Sequence, residues 1–156
     1  MRRKDKQIKE EYDILLVMEE CKICRLAMIY QGKPYLVPMN FGFEYTQGQL
    51  ILYFHSAFEG QKITALRENP QVCFEMEIDK GFVPSSKACA SSYAYQSVIG
   101  FGKAEFIENP VEKSMALNKI MQRQCGRIFD FSEKSLASVC VFKVIASSFT
   151  GKQSDN

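Results

Sequence analysis

The chain has 156 residues, of which 46% are hydrophobic and 24% are charged. These proportions are typical of a globular protein and exclude a disordered chain or a collagen-like fibre. Twenty basic and eighteen acidic side chains give a net charge of +2, which argues against nucleic acid as a partner. The length fits one domain, so we predict a single domain over residues 1–156.

The beginning of the chain is charged and lacks the apolar segment of a secretory signal. No apolar run approaches the roughly 20 residues that cross a bilayer. We therefore expect a cytoplasmic protein with no membrane partner. Four basic side chains near the start are interpreted as a solvated tail. They are Arg2, Arg3, Lys4 and Lys6.

The six cysteines include one C-x-x-C pair, Cys21 and Cys24. A structural zinc site usually needs two such pairs, or one pair and two histidines, and His55 is the single histidine of the chain. We therefore predict no metal site built from protein side chains alone. The cysteines are expected to be free thiols in the core or at an interface.

The first half of the chain predicts a helix and then three strands. Apolar residues at i, i+4, i+7 and i+8 spacing predict an amphipathic helix from about Asp5, as N-cap, to Glu20. Turns that contain glycine then separate three strand-like runs, which we predict to form an antiparallel meander. The runs are Leu26–Tyr30, Tyr35–Tyr45 and Leu50–His55.

The second half predicts two helices and three more strands. A short helix begins near residues 58–60, and a longer one begins at Pro110 and ends at Gly126. A Gly/Pro/Ser-rich loop spans Lys80 to Ser92. The strands are predicted over residues 71–78, 93–108 and 137–149. Short strands with helices at their margins favour a small β-barrel over a parallel sheet.

The segment LYFHSAFEGQK joins a predicted strand to a predicted helix. Ser56 lies at the expected N-cap, and Lys62 lies in the first turns of the helix. Free N–H groups, a hydroxyl and an ammonium group together predict a phosphate site. His55, at the strand end, is either a solvated side chain, a proton donor or acceptor, or an axial ligand of a haem.

Two further segments place polar groups in apolar strands. Pro38 lies in mid-strand, which fits an edge strand or a backbone that faces a ligand. Asn40 lies two residues on and can hydrogen-bond a flat heterocycle from the same side. Gln96 and Ser97 put an amide and a hydroxyl where they can hold a ligand edge. Later in the same strand, the glycines at positions 100 and 102 predict a bulge or a close backbone approach.

Taken in this order, the three segments resemble the flavin-binding split-barrel family related to pyridoxamine 5'-phosphate oxidase. Within it, they are most similar to the branch that includes nitroimidazole-resistance proteins. The similar stretches lie between Arg25 and Phe106, and the FTGK sequence of Phe149–Lys152 is similar as well. The resemblance implies a mainly β, six-stranded antiparallel split β-barrel with peripheral helices, which forms a homodimer with flavin at the interface.

The resemblance also implies which residues bind the flavin, with FMN expected and FAD as the alternative. The isoalloxazine ring would be lined by Val37, Pro38, Met39, Asn40 and Phe41. The ribityl chain and phosphate would be held by His55, Ser56 and Lys62. The residues that reach the flavin from the second subunit would be Gln96 and Ser97.

We therefore expect an FMN-dependent oxidoreductase that reduces a small electron-poor substrate such as a nitroaromatic, with His55 as candidate catalytic proton donor. The chain departs from the oxidase pattern in having Gln61-Lys62 where the oxidase has an Arg-Lys pair. It also lacks the oxidase's C-terminal substrate segment, so vitamin B6 oxidation is not expected. The alternatives are a haem- or cofactor-binding protein without turnover, with His55 as axial ligand, and a barrel that serves only as a dimerisation module.

Overall fold

Eight antiparallel strands form one sheet in the computed structural model, which describes residues 3–154. The strands are β1 Gln7–Ile8, β2 Cys24–Tyr30, β3 Lys33–Met39, β4 Gly42–Thr46, β5 Gln49–Ser56, β6 Gln71–Val83, β7 Ser92–Ile107 and β8 Cys140–Ser154. The helices are α1 Glu11–Glu20, α2 Gln61–Glu68, α3 Pro110–Cys125 and α4 Glu133–Ala137. The strand order is β3-β2-β6-β7-β8-β5-β4, and β1 pairs with β8.

The strand order confirms the predicted split barrel and corrects the predicted meander. Asn40 and Phe41 divide the run Tyr35–Tyr45 into β3 and β4, which lie at opposite ends of the sheet. The sheet curves so that Val37 of β3 and Phe43 of β4 pack against the same core. The described chain has eight strands where six were predicted, because this run forms two strands and the short β1 adds another.

The first helix begins later than the sequence predicts. Asp5 lies in a single 3₁₀ turn, and α1 starts at Glu11 with Glu10 as N-cap. Between them, Ile8 is 5% exposed and pairs with Gly151 of β8. The burial of Ile8 in strand β1 therefore outweighs the helical pattern that the sequence shows before Glu11.

The basic opening segment is more ordered than the predicted solvated tail. Arg3 forms an ion pair with Asp5, with 2.6 Å between nitrogen and oxygen. Lys6 Nζ donates to Ser154 Oγ over 2.7 Å, which attaches the segment to the end of β8. Arg2, the other arginine of the predicted tail, lies outside the described residues.

The long strands extend further than predicted. β6 continues to Val83 and β7 begins at Ser92, so the loop predicted from Lys80 is reduced to residues 84–91. A register irregularity between Asp79 and Gly81, where Gly81 has φ 96°, lets the ladder continue. β8 also extends further than predicted, through the FTGK sequence to Ser154.

Helix α3 follows its sequence signals closely. Asn109 caps its N-terminus by accepting bonds from two backbone N–H groups, and Gly126 ends it with φ 70°. The helix packs on β4, where a Cβ on Gly42 would lie 2.6 Å from the backbone nitrogen of Ile120. Among residues 3–154, no helix has the length and apolar content to span a membrane.

Candidate functional site

The junction between β5 and α2 contains the predicted phosphate-binding residues. Strand alternation places Ser56 on the barrel face of β5, together with the buried Phe54, and the exposed His55 on the opposite face, which α3 covers at Tyr53. Ser56 is paired with Cys140, and His55 with Val141, both on β8. The two neighbouring side chains therefore leave the strand in opposite directions.

The N-terminus of α2 is capped differently from the prediction. Gly60, and not Ser56, is the N-cap, with φ 126° and ψ 163°. This conformation favours glycine. Its carbonyl accepts bonds from the N–H groups of Ile63 and Thr64, and no side chain of the described residues caps the helix. The first N–H groups of α2 therefore carry the positive end of the helix dipole, and the first turn contains no acidic residue.

Charged side chains of both signs act on Cys140, the β8 residue that pairs with Ser56. Burial raises the pKa of the Cys140 thiol, the positive charges of Lys113, Arg67 and Lys62 oppose this rise, and the negative charge of Glu108 adds to it. The Lys113 side chain reaches the junction from α3, with its Nζ 5.6 Å from the ring centre of Phe58. The same Nζ donates to the carbonyl oxygens of Leu136 and Val139, so the protein itself holds this ammonium group.

The surroundings of His55 favour its neutral form. Burial, and then the charge of Lys62, lower its pKa from the ordinary value of 6.5. Both effects disfavour the imidazolium form. His55 can therefore act through a neutral imidazole nitrogen, and an imidazolium proton donor at this position is disfavoured.

The residues predicted to line the isoalloxazine ring face in different directions. Val37 points into the barrel and Met39 is 8% exposed, whereas Pro38 lies exposed on the outer face opposite Arg25. β3 is an edge strand, which explains Pro38 without any ligand.

The last turn of α3 holds the connection from β3 to β4. Asn40 donates from Nδ2 to Gln124 Oε1 over 3.2 Å. Phe41 is fully buried, with the Arg123 guanidinium 4.6 Å from its ring centre. Both predicted ligand residues are thus engaged by the protein itself, and the sequence carried no signal of their partners on α3.

Gln96 and Ser97 lie on opposite faces of β7. Gln96 donates to Gln153 Oε1 over 3.2 Å on the barrel side. Ser97 lies on the outer face, in a groove that Tyr95 and Lys152 also line. A ligand on one face of the sheet can therefore contact only one of the two side chains directly.

Helix α2 connects two of the three predicted segments. It leaves β5 and packs against β2, which is the strand that pairs with β3. The residues that sequence analysis missed are Lys113 beside the junction and Arg123 and Gln124 near β3. The sequence carries no signal for them, because α3 meets the junction and the end of β3 only in the folded protein.

The residues of the β5–α2 junction fit a phosphate group. They combine an uncapped helix N-terminus, the Ser56 hydroxyl and the ammonium group of Lys62, with Lys113 near the loop that precedes the helix. A split antiparallel barrel with a cationic strand-to-helix junction is therefore the class of protein that the fold and site define.

Comparison with known proteins agrees with this class. The family model described as pyridoxamine 5'-phosphate oxidase matches residues 10–153. The chain belongs to this family. A search of curated proteins found no match.

Solved structures show the same fold. A candidate 5-nitroimidazole antibiotic resistance protein of Bacteroides thetaiotaomicron is 34% identical, with 94% of this chain and 86% of that one covered and a TM-score of 0.82. An FAD- and haem-binding protein of Mycobacterium smegmatis is 20% identical, with 97% and 74% covered and a TM-score of 0.82. A flavocytochrome of Azotobacter vinelandii is 18% identical, with 100% and 72% covered and a TM-score of 0.82. The last two establish likeness of fold alone.

Proposed function

We propose that this protein binds a flavin, FMN in the first place, and reduces a small electron-poor substrate such as a nitroaromatic compound. The observation that carries the proposal is the β5–α2 junction, where Ser56 ends β5, Lys62 lies in the first turn of α2 and no side chain caps the helix. The 34% identical candidate nitroimidazole-resistance protein and the flavin-binding proteins of the same fold support the choice of cofactor and substrate.

The flavin phosphate is assigned to the β5–α2 junction. Lys62 supplies an ammonium group, and the first N–H groups of α2 supply hydrogen-bond donors. Lys113, whose Nζ lies 5.6 Å from the ring centre of Phe58, adds positive charge beside the junction, where the chain has Gln61 in place of the oxidase pattern's cation. A charge-assisted hydrogen bond contributes about 1.5–3 kcal/mol, so the loss of Lys62 should be measurable.

When bound, a flavin supplies two-electron redox chemistry that the side chains lack. A nitro group that takes up two electrons and two protons becomes a nitroso group and releases one water molecule. An external nicotinamide-type donor, or dithionite in an assay, restores the two electrons. The protein's own contribution is to bind and orient both partners, and the neutral His55 holds its proton at a ring nitrogen.

A homodimer is part of the proposal, and the outer face of the sheet supports it. Leu36, Ala27, Cys73 and Phe101 are register partners that form one row across β3, β2, β6 and β7. Leu36 is 54% exposed and Phe101 is 56% exposed. We call this row, with the neighbouring Ile29 and Ile99, the apolar face. Exposed apolar groups in one continuous area are typical of a contact surface.

Titration with FMN tests the proposal. Wild-type protein should bind FMN saturably, and Lys62→Ala should weaken binding by about 10- to 150-fold, the equivalent of one charge-assisted bond. Lys33→Ala, at the exposed first residue of β3, is the matched control and should leave the affinity unchanged. Absence of saturable FMN binding to the wild-type chain would overturn the proposal.

A haem-binding protein without turnover is the second candidate, and the state of His55 favours it. An axial ligand must be an accessible neutral imidazole, and His55 is exposed with a lowered pKa. The visible spectrum of the purified protein separates the two candidates, because haem has one intense Soret band and flavin has two broad bands. His55→Ala should abolish haem binding and leave FMN binding largely intact.

A further inference from the structure

A groove of about 570 Å³ crosses the outer face of β6, β7 and β8 at one end of the apolar face. Ser97 lies in its middle, between the register partners Glu77 on β6 and Lys152 on β8. The volume is within the range of sites that bind small molecules. Ser97 was singled out from the sequence, and the FTGK sequence that contains Lys152 was noted there without a role.

The groove has walls of opposite charge. The β6 wall carries the carboxylates of Glu75, Glu77 and Asp79, and the β8 wall carries the ammonium group of Lys152. Between them, β7 contributes Tyr93, Tyr95 and Ile99 to the floor. A ligand in the groove therefore meets a flat, aromatic surface with a negative side and a positive side.

The positive wall is available to a ligand. Lys152 Nζ lies 5.3 Å from the ring centre of Tyr95, and no ion pair holds it within residues 3–154. The negative wall is partly neutralised, because Arg25 contacts Glu75 at 3.0 Å and Glu77 at 3.1 Å. The remaining charge favours a neutral, dipolar ligand over a strongly anionic one.

We propose that this groove binds the electron-accepting substrate, a flat nitroheteroaromatic compound whose nitro oxygens face Lys152 and whose hydrogen-bond donor faces Glu77. The inference rests on the proposed flavin function and adds the substrate's place and orientation to it. An electron-poor ring stacks favourably on the electron-rich rings of tyrosine, and the Lys152 ammonium donates to the nitro oxygens. The resemblance predicts that Ser97 faces the flavin of a second subunit, and on that prediction the groove would lie beside the cofactor.

The test measures binding of 2-methyl-5-nitroimidazole to the oxidised, FMN-loaded protein by calorimetry, with no reductant present. This probe carries both a nitro group and a ring N–H donor. Lys152→Met should weaken probe binding at least about fivefold, as expected for the loss of a charged hydrogen-bond donor. FMN affinity, measured separately, should stay within about twofold.

Lys143→Met is the matched control, because Lys143 lies on the same strand and pairs with Glu112 outside the groove. It should leave probe and FMN affinities unchanged. Glu77→Gln tests the opposite wall, and it should weaken the probe while preserving the side-chain shape. Circular dichroism before each titration establishes that the variants are folded.

The outcomes separate this inference from the proposed function. If FMN binds and the probe either fails to bind or binds Lys152→Met as tightly as wild type, the groove assignment is wrong and the flavin function stands. If the wild-type chain binds no FMN, the proposed function is wrong. The probe titration is then made on the flavin-free chain, whose groove is lined by residues of one subunit, and it decides the groove assignment by the same criterion.

Discussion

Arg123 joins three parts of the chain through one side chain that is 8% exposed. Its guanidinium stacks 4.6 Å from the ring centre of Phe41 and 4.8 Å from that of Phe43. It also donates to the carbonyl oxygens of Met18 at 2.7 Å and Cys21 at 2.6 Å. A cation is favourable at these carbonyls, because the negative end of the α1 dipole lies there.

Replacing Arg123 should destabilise the fold. Arg123→Met removes the donors to the α1 carbonyls and both cation–π contacts, so the free energy of unfolding should fall by about 2–4 kcal/mol. Urea denaturation measures the change. Arg127→Met is the control, because Arg127 is exposed over Phe129. Arg127→Met should lower the free energy of unfolding by less than about 1 kcal/mol. Equal decreases for the Arg127 and Arg123 variants would contradict the assigned role of Arg123.

His55 should make stability depend on pH. Its pKa is lowered in the folded protein, so the unfolded chain, with a pKa of about 6.5, binds the proton more tightly. The free energy of unfolding should therefore decrease as the pH falls below about 6.5. His55→Gln removes this contribution. Urea denaturation between pH 5 and 7.5 should show a shallower decrease for the variant, and parallel curves would refute the prediction.

At the scale of elements, glycines determine how closely β7 approaches its neighbours. A Cβ on Gly100 would lie 2.1 Å from Cζ of the buried Phe74, and one on Gly102 would lie 2.5 Å from the Ile145 carbonyl oxygen. The register between β7 and β8 shifts at Phe101/Gly102. The sequence predicted a bulge or a close approach at these glycines, and both are confirmed.

Gly100→Ala should overpack the barrel and lower the free energy of unfolding by about 1–3 kcal/mol. Phe74→Leu removes the ring that the new methyl group would meet. The double variant should therefore be more stable than the sum of the two single changes predicts. A thermodynamic cycle from urea denaturation measures this coupling, and strictly additive losses would mean that the two residues do not compete for space.

Strand β3 shows how an edge can be protected. Pro34 and Pro38 pair with Ile29 and Arg25 of β2 and lack backbone N–H groups. The two prolines are four residues apart, so their backbone nitrogens point to the same side of β3. The hydrogen bonds between β3 and β2 are retained when that side is the open edge of the sheet. The open edge then lacks two backbone N–H donors, which makes pairing with a further strand less favourable. Association through the apolar face is therefore favoured over extension of the sheet.

At the scale of the whole molecule, the apolar face should decide the oligomeric state. Phe101→Lys places a charge in the apolar face and should convert the proposed dimer to a monomer. Sedimentation measures the oligomeric state. FMN affinity should fall with it, because the proposed site lies at the interface. Val111→Lys, on α3 at a residue that is 79% exposed, is the control and should leave the dimer intact. A Phe101→Lys protein that remains dimeric would exclude the apolar face as the interface.

Local features of the fold were predictable from the chain alone. Helix α3 begins after Asn109 and ends at Gly126 because capping is decided by a few neighbouring residues. The alternation in β6 identified its buried face, and the β5–α2 junction could be recognised because His55, Ser56 and Lys62 lie within eight residues of each other. These signals come from residues that are close together in the sequence.

Other features were decided only in the folded protein, because strand register and helix docking join residues that are far apart in the chain. Pairing of β3 with β2 and of β4 with β5 separated a run that looks continuous in sequence. Docking of α3 brought Lys113 to the junction, and the ladder β6–β7–β8 aligned Glu77, Ser97 and Lys152 across one groove. The chain by itself therefore determined helix α3, most of the strands and the β5–α2 junction with Lys62, while long-range pairing decided where the strands divide and which faces they present.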